Sequence, residues 1–317
     1  MKIGYFLSSE EFGPRALVDQ ARAAERAGFH GLWISDHYHP WNAAQGQSPF
    51  VWSVIGAVAE AAPSMRVTTA VTCPTVRIHP AVIAQAAATA AVLLEGGFQL
   101  GVGSGEALNE HILGGPWPPA QIRLDMLEEA VGLIRRLWTG EVVTHRGRHY
   151  QLDHARIYTR PDTPPPVLVS GFGPRSIGLA ARIGDGYVVN RPDRDMVDAF
   201  RSGGGGRKPV QAGMKVCHGP DEAAARQTVH RLWPTEQLPG ELAQVLPTPE
   251  HLEQASSLVT EDMVAQAVPC GPDLDRHVRA IQAYADAGVD EVYVQQVGGG
   301  HEEFFRVYER EVLPRFH

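Results

Sequence analysis

Short apolar runs alternate with longer amphipathic segments along the whole chain. The runs Lys2–Leu7, Gly31–Ser35, Arg66–Val71, Phe98–Val102, Val167–Ser170, Gly186–Val189, Pro209–His218 and Glu291–Gln295 read as eight strands. They are short, apolar on consecutive positions and rich in β-branched residues, as strands covered on both faces are. Between them the apolar period lengthens to three or four residues. This predicts helices over Pro14–Gly28, Pro49–Ala62, His79–Glu95, Ala120–Trp138, Ile177–Ile183, Asp221–Leu232, Asp273–Ala287 and His301–Leu313, with two more between 248 and 268. Pro14 suits a first helical turn, and Gly28 a helix end. Glu141–Leu152 reads as a hairpin around Arg146-Gly147, and Pro161–Pro166 and Gly203–Gly206 as loops.

Strands that are nearly all followed by helices imply a parallel sheet with helical crossovers. A closed (β/α)8 barrel and an open doubly wound sheet both satisfy that pattern. The dinucleotide fingerprint of the open sheet is missing: Gly101-Val102-Gly103-Ser104-Gly105 is followed by Glu106 where the last glycine belongs, and Gly171-Phe172-Gly173-Pro174-Arg175 by Ser176. The expected fold is therefore α/β, a single TIM barrel over residues 1–317 with insertions near 141–165 and 232–270.

Charge and cysteine content narrow the function classes. Lys plus Arg number 28 against 36 Asp plus Glu, a formal charge of −8, which argues against a nucleic-acid or anionic-membrane surface. No apolar run approaches the roughly 18–20 residues of a membrane span. Cys73, Cys217 and Cys270 are widely spaced and odd in number, which suits a reducing cytoplasm and excludes a disulfide framework. His145, His149 and His154 have loose metal-like spacing, but Arg146 and Arg148 between them would repel a cation, so no metal site is expected.

In a TIM barrel the chemistry lies where strands end at the C-terminal face. Asp36, His37, Tyr38, His39, Pro40 and Trp41 follow the second strand, and Val71, Thr72, Cys73 and Pro74 the third. The fourth is followed by Gly103, Ser104, Gly105, Glu106 and Asn109, the fifth ends in Ser170 and Gly171–Ser176, and Asn190 follows the sixth. Ser35-Asp36-His37 alone also reads as a cap with a structural histidine, and Glu106 as an ordinary acid of a first helical turn. Two ionisable strand ends in one barrel shift the reading towards catalysis. Together with two glycine-rich loops, they suit a flat, phosphate-bearing cofactor beside an acid–base pair.

These residues carry a resemblance. Ser35-Asp36-His37 with Pro40-Trp41, Pro80-Ala81-Val82-Ile83-Ala84-Gln85, the string Gly101-Val102-Gly103-Ser104-Gly105-Glu106-Ala107-Leu108-Asn109-Glu110, and Leu137-Trp138-Thr139-Gly140 are similar to the coenzyme F420-dependent oxidoreductases of the luciferase-like superfamily. Within it, the chain most resembles the F420-dependent glucose-6-phosphate dehydrogenases, across almost its whole length. The resemblance implies a barrel, a homodimer, the deazaflavin F420 as cofactor, and hydride exchange with a small alcohol or carbonyl, enone or imine. It implies that His37 handles the substrate proton, Glu106 stands near the cofactor's pyrimidine edge, and Trp41 walls the substrate pocket. It also implies cofactor contacts from Asp36, Cys73, Ser104, Gly105, Asn109 and Ser170, a non-proline cis peptide at Ala70-Val71, and a phosphate-holding loop at Gly171, Phe172, Gly173 and Pro174.

The likeness has one departure. Where sugar-phosphate members carry a Thr and a Lys after the sixth strand, this chain reads Asn190-Arg191-Pro192-Asp193-Arg194, with Asp193 at the lysine's place. An aspartate beside a phosphate dianion is unfavourable. Asn190 and Arg191 are thus expected at the substrate, and glucose 6-phosphate is not the expected substrate. The apolar, proline-broken stretch 233–246 could line a pocket for a larger, less polar molecule or pack as core. A flavin-dependent monooxygenase of the same superfamily and a non-catalytic F420 carrier remain the alternatives.

Overall fold

The computed structural model describes residues 1–316. The chain runs β1 (Lys2–Leu7), α1 (Pro14–Arg26), β2 (Gly31–Ile34), α2 (Val51–Ala61), β3 (Arg66–Thr69), α3 (Pro80–Leu93), β4 (Phe98–Val102), a short α4 (Ala107–Glu110) and a long α5 (Ala120–Trp138). A hairpin of β5 (Val143–Arg146) and β6 (Gln151–Ala155) precedes β7 (Val167–Ser170), α6 (Pro174–Ile183), β8 (Gly186–Val189), α7 (Arg194–Phe200) and β9 (Val210–Val216). Then come α8 (Glu222–Leu232), α9 (Leu242–Val245), α10 (Pro249–Ser256), α11 (Glu261–Ala267), α12 (Leu274–Asp286), β10 (Glu291–Gln296) and α13 (His301–Val307). Eight strands close into a barrel in the order β1-β2-β3-β4-β7-β8-β9-β10, and every pair is parallel. This is the (β/α)8 TIM barrel that the alternation of patterns predicts.

Inside the barrel, alternate residues of each strand form layers. The floor is polar: Arg66 bonds the Glu291 carboxylate and, at 2.6 Å, the Tyr293 hydroxyl. Gln211 donates to Gln99 at 2.8 Å and to Glu291 at 3.0 Å, and accepts from Trp33 Nε1 at 2.9 Å. Most buried polar atoms there are thereby offset by a partner, Arg66 Nε being left without one. Above it lies an apolar layer of Trp33, Leu168, Val188 and Tyr293, with Phe6, Ala70 and Val71 against it. Trp33 and Tyr293 stack at 4.8 Å. A Cβ on Gly213 would stand 2.8 Å from the Trp33 ring, so that strand position requires glycine. The helices pack their apolar faces outside, and a second cluster (Cys217, Val229, Leu232, Trp233, Val264, Cys270) covers the end of β9.

Four local expectations change. No helix is expected after β8, yet Asp193 accepts the Met196 N–H at 3.1 Å and caps α7. The Gly203–Gly206 run, expected as a loop, carries a π-helical turn over Arg201–Gly205, with Gly204 at φ 112°. Only a residue without a side chain takes that angle readily. Helix α6 starts three residues earlier than the apolar period shows, because Pro174 occupies its first turn. The terminal helix, expected over His301–Leu313, is α-helical only to Val307 and then widens into a π turn, Tyr308–Val312.

Candidate active site

The ends of β1 and β2 are laced together before any catalytic group is placed. Ser9 N–H donates to Ser35 Oγ at 3.0 Å, and Ser9 Oγ to the Ser35 carbonyl at 2.8 Å. Glu10 folds back over this junction. Its Oε2 accepts Ser8 Oγ at 2.9 Å and Ser35 Oγ at 2.7 Å. Its Oε1 is left facing His37 Nδ1 at 3.6 Å; the Glu10 side chain is buried and that of His37 nearly so. His37 Nδ1 has no hydrogen-bond partner of its own. The Trp41 ring tilts over His37, centroid to centroid 5.1 Å. Trp41 is held by the loop that follows it: Asn42 Nδ2 and Gln45 Nε2 both donate to the Leu232 carbonyl at the end of α8, and Gln45 Oε1 accepts Trp41 N–H.

The loops after β2 and β4 are clamped by Asn109. Its Oδ1 accepts the N–H groups of Tyr38 at 2.9 Å and His39 at 3.1 Å, while its Nδ2 is buried without a partner. Glu106, half-buried, begins α4 and makes no capping bond to it. Beneath lies an acid–base–acid bridge. Asp36 accepts Thr72 Oγ1 at 2.7 Å and Arg77 Nη2 at 2.8 Å. Arg77 Nε lies 3.6 Å from Glu110, whose other oxygen accepts the Arg77 and Val76 N–H groups. Burial pushes the Glu110 carboxyl upward, against the pull of the Arg77 backbone and guanidinium. Burial, and then Glu106, Glu110 and Asp36, push the Cys73 thiol far up, so it remains a protonated thiol.

The ends of β3, β4 and β7 form a second wall. The Ala70-Val71 peptide is cis. A Cβ on Gly103 would lie 2.8 Å from Val71 Cγ2 and 4.0 Å from Ser170, so the three strand ends meet around a bare backbone. Ser104 and Gly105 continue from it, with Gly105 at φ +85° between Trp117 and Cys73. Gly171 carbonyl accepts the Tyr187 hydroxyl at 2.6 Å, and Gly173 exchanges hydrogen bonds with Ser176. Phe172 projects outward, and Pro174 opens helix α6.

The expected site residues are thus placed at the C-terminal face, on the strand ends and the loops that leave them. Asn190 and Arg191 are exposed at the end of β8, with Arg191 turned onto Asp193 at 3.2 Å. Asp193 is held below the usual carboxylate range by the Met196 N–H and by Arg191. Four groups are given no role by the sequence: Glu10, Arg77, Glu110 and Lys215. Ser8-Ser9-Glu10-Glu11, directly after the first strand, is the polar strand end that signals Glu10. No signal in the sequence pairs Arg77 with Asp36. No three His, Cys, Asp or Glu side chains among the described residues are grouped to hold a metal; His145 Nε2 lies 3.0 Å from Glu129.

The sequence model of the luciferase-like monooxygenases matches residues 1–291. The chain belongs to this family. Among its luciferase-like relatives, an F420-dependent glucose-6-phosphate dehydrogenase of Amycolatopsis mediterranei is 35% identical over 99% of this chain and 98% of its own. An F420-dependent hydroxymycolic acid dehydrogenase of Mycobacterium tuberculosis is 37% identical over 90% of this chain and 80% of its own. The solved structure of an F420-dependent secondary alcohol dehydrogenase in complex with an F420-acetone adduct superposes with a TM-score of 0.93, at 29% identity, over 100% of this chain and 99% of that one.

Proposed function

We propose that this luciferase-like chain exchanges a hydride between F420 and a small alcohol or carbonyl, enone or imine that carries no phosphate, with His37 moving the proton. The chain is an F420-dependent oxidoreductase; the residue roles and the substrate are the proposal. Bound F420 would supply a ring carbon that takes or returns a hydride. The residues fit such a group. Glycine at 103 and 105 lets the ends of β3, β4 and β7 close up into one wall against which a flat ring could lie, the unpartnered Asn109 Nδ2 offers it a donor, and the N–H groups opening α6 suit its phosphate. Asp36, Ala70, Val71, Cys73, Ser104, Glu106, Ser170, Gly171, Phe172, Gly173 and Pro174 are the further residues that would hold it.

The observation that carries the reading is the Glu10–His37–Trp41 arrangement. With the Glu10 carboxylate facing Nδ1, a proton on that nitrogen would be the one favoured, leaving Nε2 as the acceptor for the substrate. Nε2 can then accept the hydroxyl proton of an alcohol, or return it to a forming alkoxide. Glu10 balances the imidazolium that results, and Trp41 covers the ring and excludes water. Glu106 faces the cofactor side, where a carboxyl can answer charge. Asn190 and Arg191 would meet the far end of the substrate. We also read the chain as a cytoplasmic homodimer. Its three free, buried cysteines support the reducing compartment, and the family resemblance supports the dimer. The test is a screen of alcohols, ketones, enones and imines for change in F420 absorbance. Turnover lost in His37→Ala supports the reading, and turnover with FMN but none with F420 overturns it.

A further inference from the structure

Lys215 lies on β9 two residues beyond Gly213, which faces Trp33 inside the barrel, and four beyond Gln211, which bonds Trp33 there. Strand alternation therefore sends Lys215 to the barrel mouth, beside Gln295 of β10. Its side chain is only 10% exposed. The ammonium stands 3.9 Å from the centroid of the Trp233 ring and pairs with Glu236, on the 3₁₀ turn Pro234–Gln237. Trp233 belongs to the apolar cluster on which Trp41 packs, so this cation sits in the wall that reaches His37 through Trp41. Glu11 is the other carboxylate nearby. Its oxygens are taken by Trp233 Nε1 at 2.6 Å, Gln295 Nε2 at 2.7 Å and Gly298 N–H at 2.8 Å, and it forms no ion pair with Lys215 among the described residues.

We infer that Glu236 masks the charge of Lys215 at the substrate end of the pocket and thereby selects neutral substrates over anionic ones. This deepens the reading given under Proposed function and rests on it. A bare, nearly buried ammonium would attract a carboxylate or phosphate strongly. With Glu236 in contact, an incoming anion meets a dipole and a competing negative charge, and a neutral alcohol is not penalised. Glu236 is the member of the pair that solvent reaches, 41% exposed, so removing its charge disturbs the fold least.

The test compares 2-hexanol with 5-hydroxyhexanoate, which share the reacting centre and differ by a terminal carboxylate. Binding is followed by calorimetry and turnover by F420 absorbance, in wild type, Glu236→Gln and the double change Glu236→Gln with Lys215→Met. Glu236→Gln should bind 5-hydroxyhexanoate about tenfold more tightly, the scale of one charge-assisted contact, with 2-hexanol unchanged. The gain should disappear in the double variant and shrink with added salt. Unchanged anion affinity in Glu236→Gln, or a gain that survives the Lys215→Met change, would overturn the inference. Calorimetry separates the two readings. An anion gain without F420-linked turnover of either compound sinks the alcohol reading alone. Turnover of 2-hexanol without an anion gain sinks the masking role alone.

Discussion

Glu10 Oε1 stands 3.6 Å from His37 Nδ1, while the other Glu10 oxygen is fixed by Ser8 and Ser35. The carboxylate is thus aimed by two hydroxyls from neighbouring strand ends, and its free oxygen faces the imidazole. In the proposed proton transfer Glu10 is a positioning residue, because it acts on the substrate through His37.

His37→Ala should lower kcat by roughly 10²–10⁴-fold, the usual contribution of a general acid–base group, with F420 affinity nearly kept. Glu10→Gln should lower kcat by at least about tenfold and shift the pH profile of kcat, leaving F420 affinity unchanged. Steady-state kinetics and a fluorescence titration of F420 check both. Near-full kcat in His37→Ala would make His37 a packing residue.

Arg77 neutralises two buried carboxylates at once. Arg77→Met leaves Asp36 and Glu110 buried without a cation, which should destabilise the fold by about 3–5 kcal/mol. Because Asp36 and Asn109 are proposed cofactor contacts, F420 binding should weaken as well, and Asp36→Ala should weaken it chiefly. Urea unfolding, with and without F420, measures both effects. Wild-type stability in Arg77→Met would show that the bridge contributes nothing.

The protein should bind F420 in preference to FMN, and glucose 6-phosphate should be a poor substrate. At the end of β8, Arg191 is already engaged by Asp193, so that segment presents a neutralised pair where a phosphate would need free cations. Robust turnover of the sugar phosphate at ordinary concentrations would refute this.

His301 is half-buried among Tyr5, Phe12 and Phe305, its buried Nε2 has no partner, and desolvation lowers its pKa from 6.5 to about 4. A base with a lowered folded pKa stabilises the fold above its unfolded value and loses that contribution as pH falls from 6.5 through about 4. His301→Phe keeps the ring's shape and removes the titration. Between about pH 7.5 and about pH 4.5 the wild type should lose roughly 2 kcal/mol more stability than the variant. Parallel stability curves in urea unfolding would contradict the assignment.

The sequence by itself determined the barrel. The eight strands are written as short continuous apolar runs and most of the helices as a period of three to four residues, and those local patterns survive in any correctly closed sheet. It also placed His37, Trp41, Glu106 and the glycine-rich ends of β4 and β7, because a strand end announces itself by an abrupt change from apolar to polar residues. It missed α7, whose cap at Asp193 read as a lost phosphate ligand, since one aspartate serves either role until its backbone partner is known. Only the tertiary structure decided which charges meet. Glu10 reaches His37, Arg77 bridges Asp36 and Glu110, and Glu236 covers Lys215 because closing the barrel brings separate strand ends to one rim. The field that a substrate feels depends on those pairings in space, and neighbours along the chain do not reveal them.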